Sequence, residues 1–76
     1  MKLADFESTD ELQKYKIKDM EEGKALVTEI SDKMSDLLND SVDNAKDHSE
    51  ERYELKKARG LIQAQVNKMF MEKRNA

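Results

Sequence analysis

Between Lys24 and Asp47 the apolar residues return every three or four positions, and no stretch of the chain alternates with period two over a useful length. On a projection of about 100° per residue, Val27, Ile30, Met34, Leu37, Leu38, Ser41, Val42 and Ala45 share one sector. Glu29, Asp32, Asp36, Asp40, Asp43 and Asp47 lie opposite. This segregation predicts one helix over about 24–47. Asn39-Asp40-Ser41 groups three poor helix formers, so a break there is the alternative, giving four helices instead of three. A second apolar row, Leu55, Ala58, Ile62, Val66 and Met69, widened by Leu61 and Phe70, predicts a last helix from Asp47, His48 or Ser49 to about Lys73. Ser8 followed by Glu11 has the form of a capping box and starts a first helix with Leu12, Tyr15 and Met20 turned inward. Glu22-Gly23 is its expected stop, with a kink or a close helix contact as the other readings of that glycine. Residues 1–7 add a short turn in which Leu3 and Phe6 cover one end of the core.

The expected fold is therefore all-α, a small and loosely packed bundle of three or four helices forming one domain over residues 1–76. Composition agrees and sets its margin. Proline and cysteine are absent, and Leu, Ile, Val and Phe together make 15 of 76 residues. That fraction borders on the disordered class, so the stability expected is only a few kcal/mol. Absence of cysteine removes disulfides, zinc ribbons and thiol chemistry. No apolar run approaches the length of a membrane span, and the polar, acidic start shows no signal peptide, so the expected location is the cytoplasm.

Charge changes the picture more. Residues 1–51 carry 7 basic and 15 acidic side chains, and residues 52–76 carry 7 basic and 2 acidic. The formal net charge of -3 thus hides an acidic body and a basic last helix. Along that helix Arg52, Lys56, Arg59, Gln63, Asn67 and Arg74 form one strip beside the apolar row, with Glu54 and Glu72 well away from it. Cations and amides in a row suit a phosphate backbone, and Gln63 and Asn67 have groups able to reach base edges. The competing reading is that the strip pairs with the acidic face of the preceding helix. That face, represented by Asp32, Asp36, Asp40, Asp43 and Asp47, is itself a candidate surface for a basic protein partner.

Catalytic chemistry has little to work with. The single imidazole, His48, stands among Asp47, Ser49 and Glu50, a setting that suits a capping or solvated histidine better than a triad. Spacing of the acids follows a helix face and lacks the central glycine of an EF-hand loop, so neither a metal nor another cofactor is expected.

A cysteine-free helical chain of this length, opening Met1-Lys2-Leu3-Ala4-Asp5-Phe6 and carrying Leu61-Ile62-Gln63-Ala64-Gln65-Val66 near its end, resembles the HRDC-like bundles. These include the nucleic-acid-binding module of RecQ-type helicases and small companions of phage helicases. The resemblance implies four short helices, a loosely packed core and a role near DNA recombination or replication, in the host cytoplasm for a phage protein. Such modules tend to be basic, unlike this chain. The expected function is a non-enzymatic accessory module that binds branched or single-stranded DNA, or a helicase or recombination protein. The alternative is an acidic adaptor or inhibitor of a partner protein. A monomer is expected, with a dimeric hairpin built on the seam Val27, Ile30, Met34, Leu37 and Ser41 as the other possibility.

Overall fold

Two caps of one design start the first two helices. Ser8 Oγ accepts from the Glu11 N–H at 3.3 Å, and Asp19 Oδ1 accepts from the Glu22 N–H at 2.8 Å. Each satisfies an N–H that the first turn leaves without an intrahelical acceptor. In the computed structural model, which describes residues 2–75, a 3-10 turn (Leu3–Asp5) precedes α1 (Thr9–Lys14), α2 (Met20–Asn44) and α3 (Ser49–Asn75). The described residues contain no strand, and the all-α bundle expected from the periodicity is what forms. Met1, the first residue of the expected opening turn, lies outside the described residues.

Three boundaries differ from the sequence reading. α1 stops at Lys14 instead of Glu22-Gly23, and α2 starts at Met20 instead of Lys24. Asp19 and Glu22 repeat the spacing of Ser8 and Glu11, so the signal for a new helix start is present in the chain. Between the two helices Ile17 is buried with 5% of its surface exposed, and the connecting segment is thereby held in the core. Gly23 then sits in the first turns of α2, and its role is close packing, not termination. At the far end α2 passes unbroken through Asn39-Asp40-Ser41 and finishes at Asn44, with Ala45 left-handed at φ 55° and ψ 34°. Ala45 is thus the turn out of the helix, not part of its apolar sector. Packing along α2 outweighs three weak propensities, so the bundle has three α-helices among the described residues and not four.

α2 and α3 form a long antiparallel hairpin. The extents are 50 × 21 × 16 Å and the radius of gyration is 13.7 Å, against about 11 Å for a compact domain of this length. The core joins Leu12, Ile17, Leu26, Ile30, Leu37, Leu55, Ala58, Ile62 and Val66. On α3 the buried row is Leu55, Ala58, Ile62 and Val66 as expected, but Met69 is only half-buried and Leu61 and Phe70, expected to widen the row, are exposed. On α2 the buried line is rotated from the expected sector. It runs through Gly23, Leu26, Ile30 and Leu37, while Leu38 and Val42 are 47% and 75% exposed. The rotation has a tertiary cause, since the N-terminal segment packs on one flank of α2 and draws the buried line towards itself.

One polar contact ties that segment down. Tyr15 Oη donates to Glu22 Oε1 at 2.7 Å, and the Lys18 N–H donates to the same oxygen at 2.9 Å. The Lys18 N–H first, and then the Tyr15 hydroxyl, hold the Glu22 carboxyl down at about 2. The same hydrogen bond, followed by desolvation, pushes Tyr15 up to about 12. The depressed carboxyl contributes stability that is complete above its ordinary 4.5 and disappears as pH falls towards 2. The raised phenol contributes stability that is complete below 10 and disappears as pH rises towards 12. The melting midpoint should therefore be flat between these windows and fall in both. Glu22→Gln should make the acid limb shallower, leaving the share carried by Asp40 and Asp47, whose carboxyls are also held low. An acid limb of unchanged depth in circular-dichroism melts of that variant rules the linkage out.

Candidate functional site

The register of the hairpin decides which side chains share a surface. Val66 stands against Gly23, where an added Cβ would lie 2.3 Å from Val66 Cγ2. Two turns towards the apex, Arg59 Nη1 donates to Ser31 Oγ at 3.3 Å. Carrying this register along both helices at 1.5 Å per residue puts Val27 level with Gln63, Met34 with Lys56 and Leu38 with Arg52.

The N-terminal segment fills one of the two grooves of the hairpin. The Leu3 N–H donates to Glu29 Oε2 at 3.0 Å, and Gln13 Nε2 donates to Glu54 Oε2 at 2.7 Å. Gln65 works in both directions, since its Oε1 accepts from the Ile17 N–H at 2.9 Å and its Nε2 donates to the Tyr15 carbonyl at 2.8 Å. Asp32 and Asp36 line the cleft beside Leu3 and Ala4, and Glu72 lines the cleft beside Tyr15 and Ile17. Glu29, Asp32 and Asp36 of α2 and Glu54 and Glu72 of α3 thus lie on the side that the N-terminal segment covers.

The opposite groove is open. Its α3 edge is the strip anticipated from sequence, and the helix brings all six members to one side. Lys56, Gln63, Asn67 and Arg74 are exposed, and Arg52 and Arg59 are half-buried. The two half-buried arginines border the core row of Leu55, Ala58, Ile62 and Val66, with Arg52 Nε buried and the Arg59 guanidinium turned across the hairpin to Ser31. Gln63 Nε2 donates to Asn67 Oδ1 at 3.0 Å, which aligns the two amides. The α2 edge carries Val27, Ser31, Met34, Leu38 and Val42, with Lys24, Thr28 and Ser35 beyond. Carboxylates stand at both ends of this face, Asp47 near Arg52 and Asp19 and Glu21 beside Met20 and Lys73.

The competing expectation, that the strip pairs with the acidic face, is met only at the apex, where Arg52 helps to hold the Asp47 carboxyl low. Among the described residues no Lys or Arg is ion-paired with a carboxylate, and both ion pairs belong to His48. The acidic face is itself divided. Asp32, Asp36 and Asp43 are exposed, but Asp40 and Asp47 are engaged at the apex. Asp40 accepts from His48 Nε2 at 2.6 Å and from Asn44 Nδ2 at 2.6 Å. These bonds, the histidine first, hold its carboxyl below the usual range. Asp47 Oδ1 accepts from the hydroxyl and the N–H of Ser49, and both lower it in the same way. Ser49 Oγ is directed at Asp47 and not at His48, so these groups form a joint between α2 and α3 and not a nucleophile with its base. Ser41 Oγ and Arg52 Nε are buried near this joint without hydrogen-bond partners, which makes the apex the less satisfied end of the hairpin.

No family model matches the chain, and neither a curated protein nor a solved structure is significantly similar to it. No helix among the described residues is long and apolar enough to cross a membrane.

Proposed function

We propose that this chain is a non-enzymatic accessory module that binds an anionic macromolecule, nucleic acid or a protein that works on it, through the open face of the hairpin. The observation that carries this reading is that, among the described residues, Arg52, Lys56, Arg59 and Arg74 share one side of α3 and none of them is ion-paired with a carboxylate. Cations outside internal ion pairs stay available to a polyanion, and releasing the counterions of that polyanion favours binding. The resemblance to HRDC-like bundles belongs to the same proposal, and with it a place in phage DNA recombination or replication.

The test is a titration at low salt with branched and single-stranded oligonucleotides, followed by amide chemical shifts. Shifts should cluster on residues 52–74. For a single strand the logarithm of the affinity should fall against log salt with a slope of about -0.7 for every phosphate contacted. Arg52→Glu combined with Arg59→Glu should abolish the shifts, and Lys56→Glu combined with Arg74→Glu, both exposed, should weaken them while the helical circular dichroism is unchanged. Binding that survives both double reversals places nucleic acid elsewhere.

A further inference from the structure

We infer that the occupant of the open groove is an acidic amphipathic helix of a partner protein. This inference rests on the reading that the open face is the binding surface, and it chooses the partner class. The two edges of the groove differ in chemistry. The α3 edge offers Arg52, Lys56 and Arg59, and the α2 edge offers Val27, Met34, Leu38 and Val42, of which the last two are 47% and 75% exposed. A phosphate backbone finds cations on one edge only and gains nothing from exposed Leu38 and Val42. A second copy of the chain would bring two cationic edges together, at a Coulombic cost. A helix with one apolar stripe and acids along its flank satisfies both edges at once, as in other helix-in-groove complexes. The opposite groove shows the same device within the chain, because α1 and the segment after it fill it with Leu12 and Ile17. From the level of Met20 to that of Leu38 the groove is about 27 Å long at 1.5 Å per residue, room for a helix of five turns, with Val42 one turn further at its apex end.

The probe is a synthetic peptide of five helical turns, with leucines at every third or fourth position and glutamates on both flanks. A peptide of the same composition with its leucines scrambled, and a single-stranded oligothymidylate, serve as comparisons. The designed peptide should bind the full chain and shift amides on both α2 and α3, and the scrambled peptide should bind at least tenfold more weakly. Leu38→Ser with Val42→Ser, both exposed and so tolerable to the fold, should weaken the designed peptide at least tenfold, and Lys56→Glu with Arg59→Glu should do the same. Peptide binding indifferent to the Leu38 and Val42 changes overturns the inference, because charge attraction alone would then account for it. Oligothymidylate binding without peptide binding also overturns it, yet leaves the open face as the binding surface. Failure of both probes removes the inference and the reading beneath it. A solution mass of twice the 8.8 kDa chain, abolished by the Leu38 and Val42 changes, overturns it in favour of a second copy.

Discussion

Ile62→Ala is expected to leave the chain largely unfolded at room temperature. Ile62 has no exposed surface and lies midway along the core row of α3, in one cluster with Leu26, Ile30 and Leu12. Truncating a buried Ile to Ala removes about 2–5 kcal/mol, part of it lost transfer free energy and part the cavity left behind. A core this small rarely supplies more than about 3–5 kcal/mol in total, so one substitution consumes most of the margin. The neighbouring Leu61→Ala is the control. Leu61 is 44% exposed, and a surface change of this kind is worth about 0.5 kcal/mol. Urea unfolding followed by helical circular dichroism should show a cooperative transition for Leu61→Ala and none, or one at very low denaturant, for Ile62→Ala. Similar midpoints for the two variants would mean that α3 does not face the core as described.

Gly23→Ala and Gly60→Ala should have opposite signs, although each places the same methyl in the interior of a helix. A Cβ on Gly23 would lie 2.3 Å from Val66 Cγ2 and 2.7 Å from Ile17 Cδ1. The isoleucine methyl ends a flexible side chain and can swing aside. The valine cannot, because a β-branched residue in a helix is confined to one strongly preferred rotamer, so α2 and α3 must move apart. Overpacking of this kind costs about 1–3 kcal/mol, set against a gain of about 1 kcal/mol in helix propensity. The balance is destabilising, and the accompanying shift falls where α2, α3 and the Ile17 segment meet. A Cβ on Gly60 meets nothing within 4 Å, so only the propensity gain of about 1 kcal/mol remains. For a chain of this size 1 kcal/mol moves the midpoint by about 4–8 °C. Thermal melts of the two variants should therefore bracket the parent chain, and a stabilised Gly23→Ala variant would show that the helices do not approach as closely as described.

The two glycines also mark how far the sequence could be read. For Gly23 the chain leaves a stop, a kink and a close contact open, and only the neighbour across the hairpin separates this packed glycine from the exposed Gly60. Local signals were legible where one residue satisfies another nearby, as at Ser8 with Glu11. The same spacing at Asp19 with Glu22 went unread because Gly23 stood beside it as a plausible stop. The buried row of α3 was legible because its apolar residues fall on a single line. That of α2 was not, because it has more apolar residues than the core accepts, and the chain alone does not say which of two flanks another element covers.

The candidate site divides in the same way. Spacing alone determined that Arg52, Lys56, Arg59, Gln63, Asn67 and Arg74 share one side of a helix, since 3.6 residues per turn leaves no other arrangement. Spacing likewise grouped Glu29, Asp32, Asp36, Asp40 and Asp43 on one side of the helix before it, whereas Asp47, expected with them, falls in the connection to α3. Whether the two sets meet depended on the rotation of each helix about its own axis. The N-terminal segment set that rotation by packing on the acidic flank through Leu12, Ile17 and the Gln65 hydrogen bonds. The sequence by itself thus determined the helices, their amphipathic rows and the grouping of charge. Tertiary structure alone decided that the acidic groove is filled from within and the basic one left open, because burial is a contest among faces for one core and a helix cannot settle it without its neighbours.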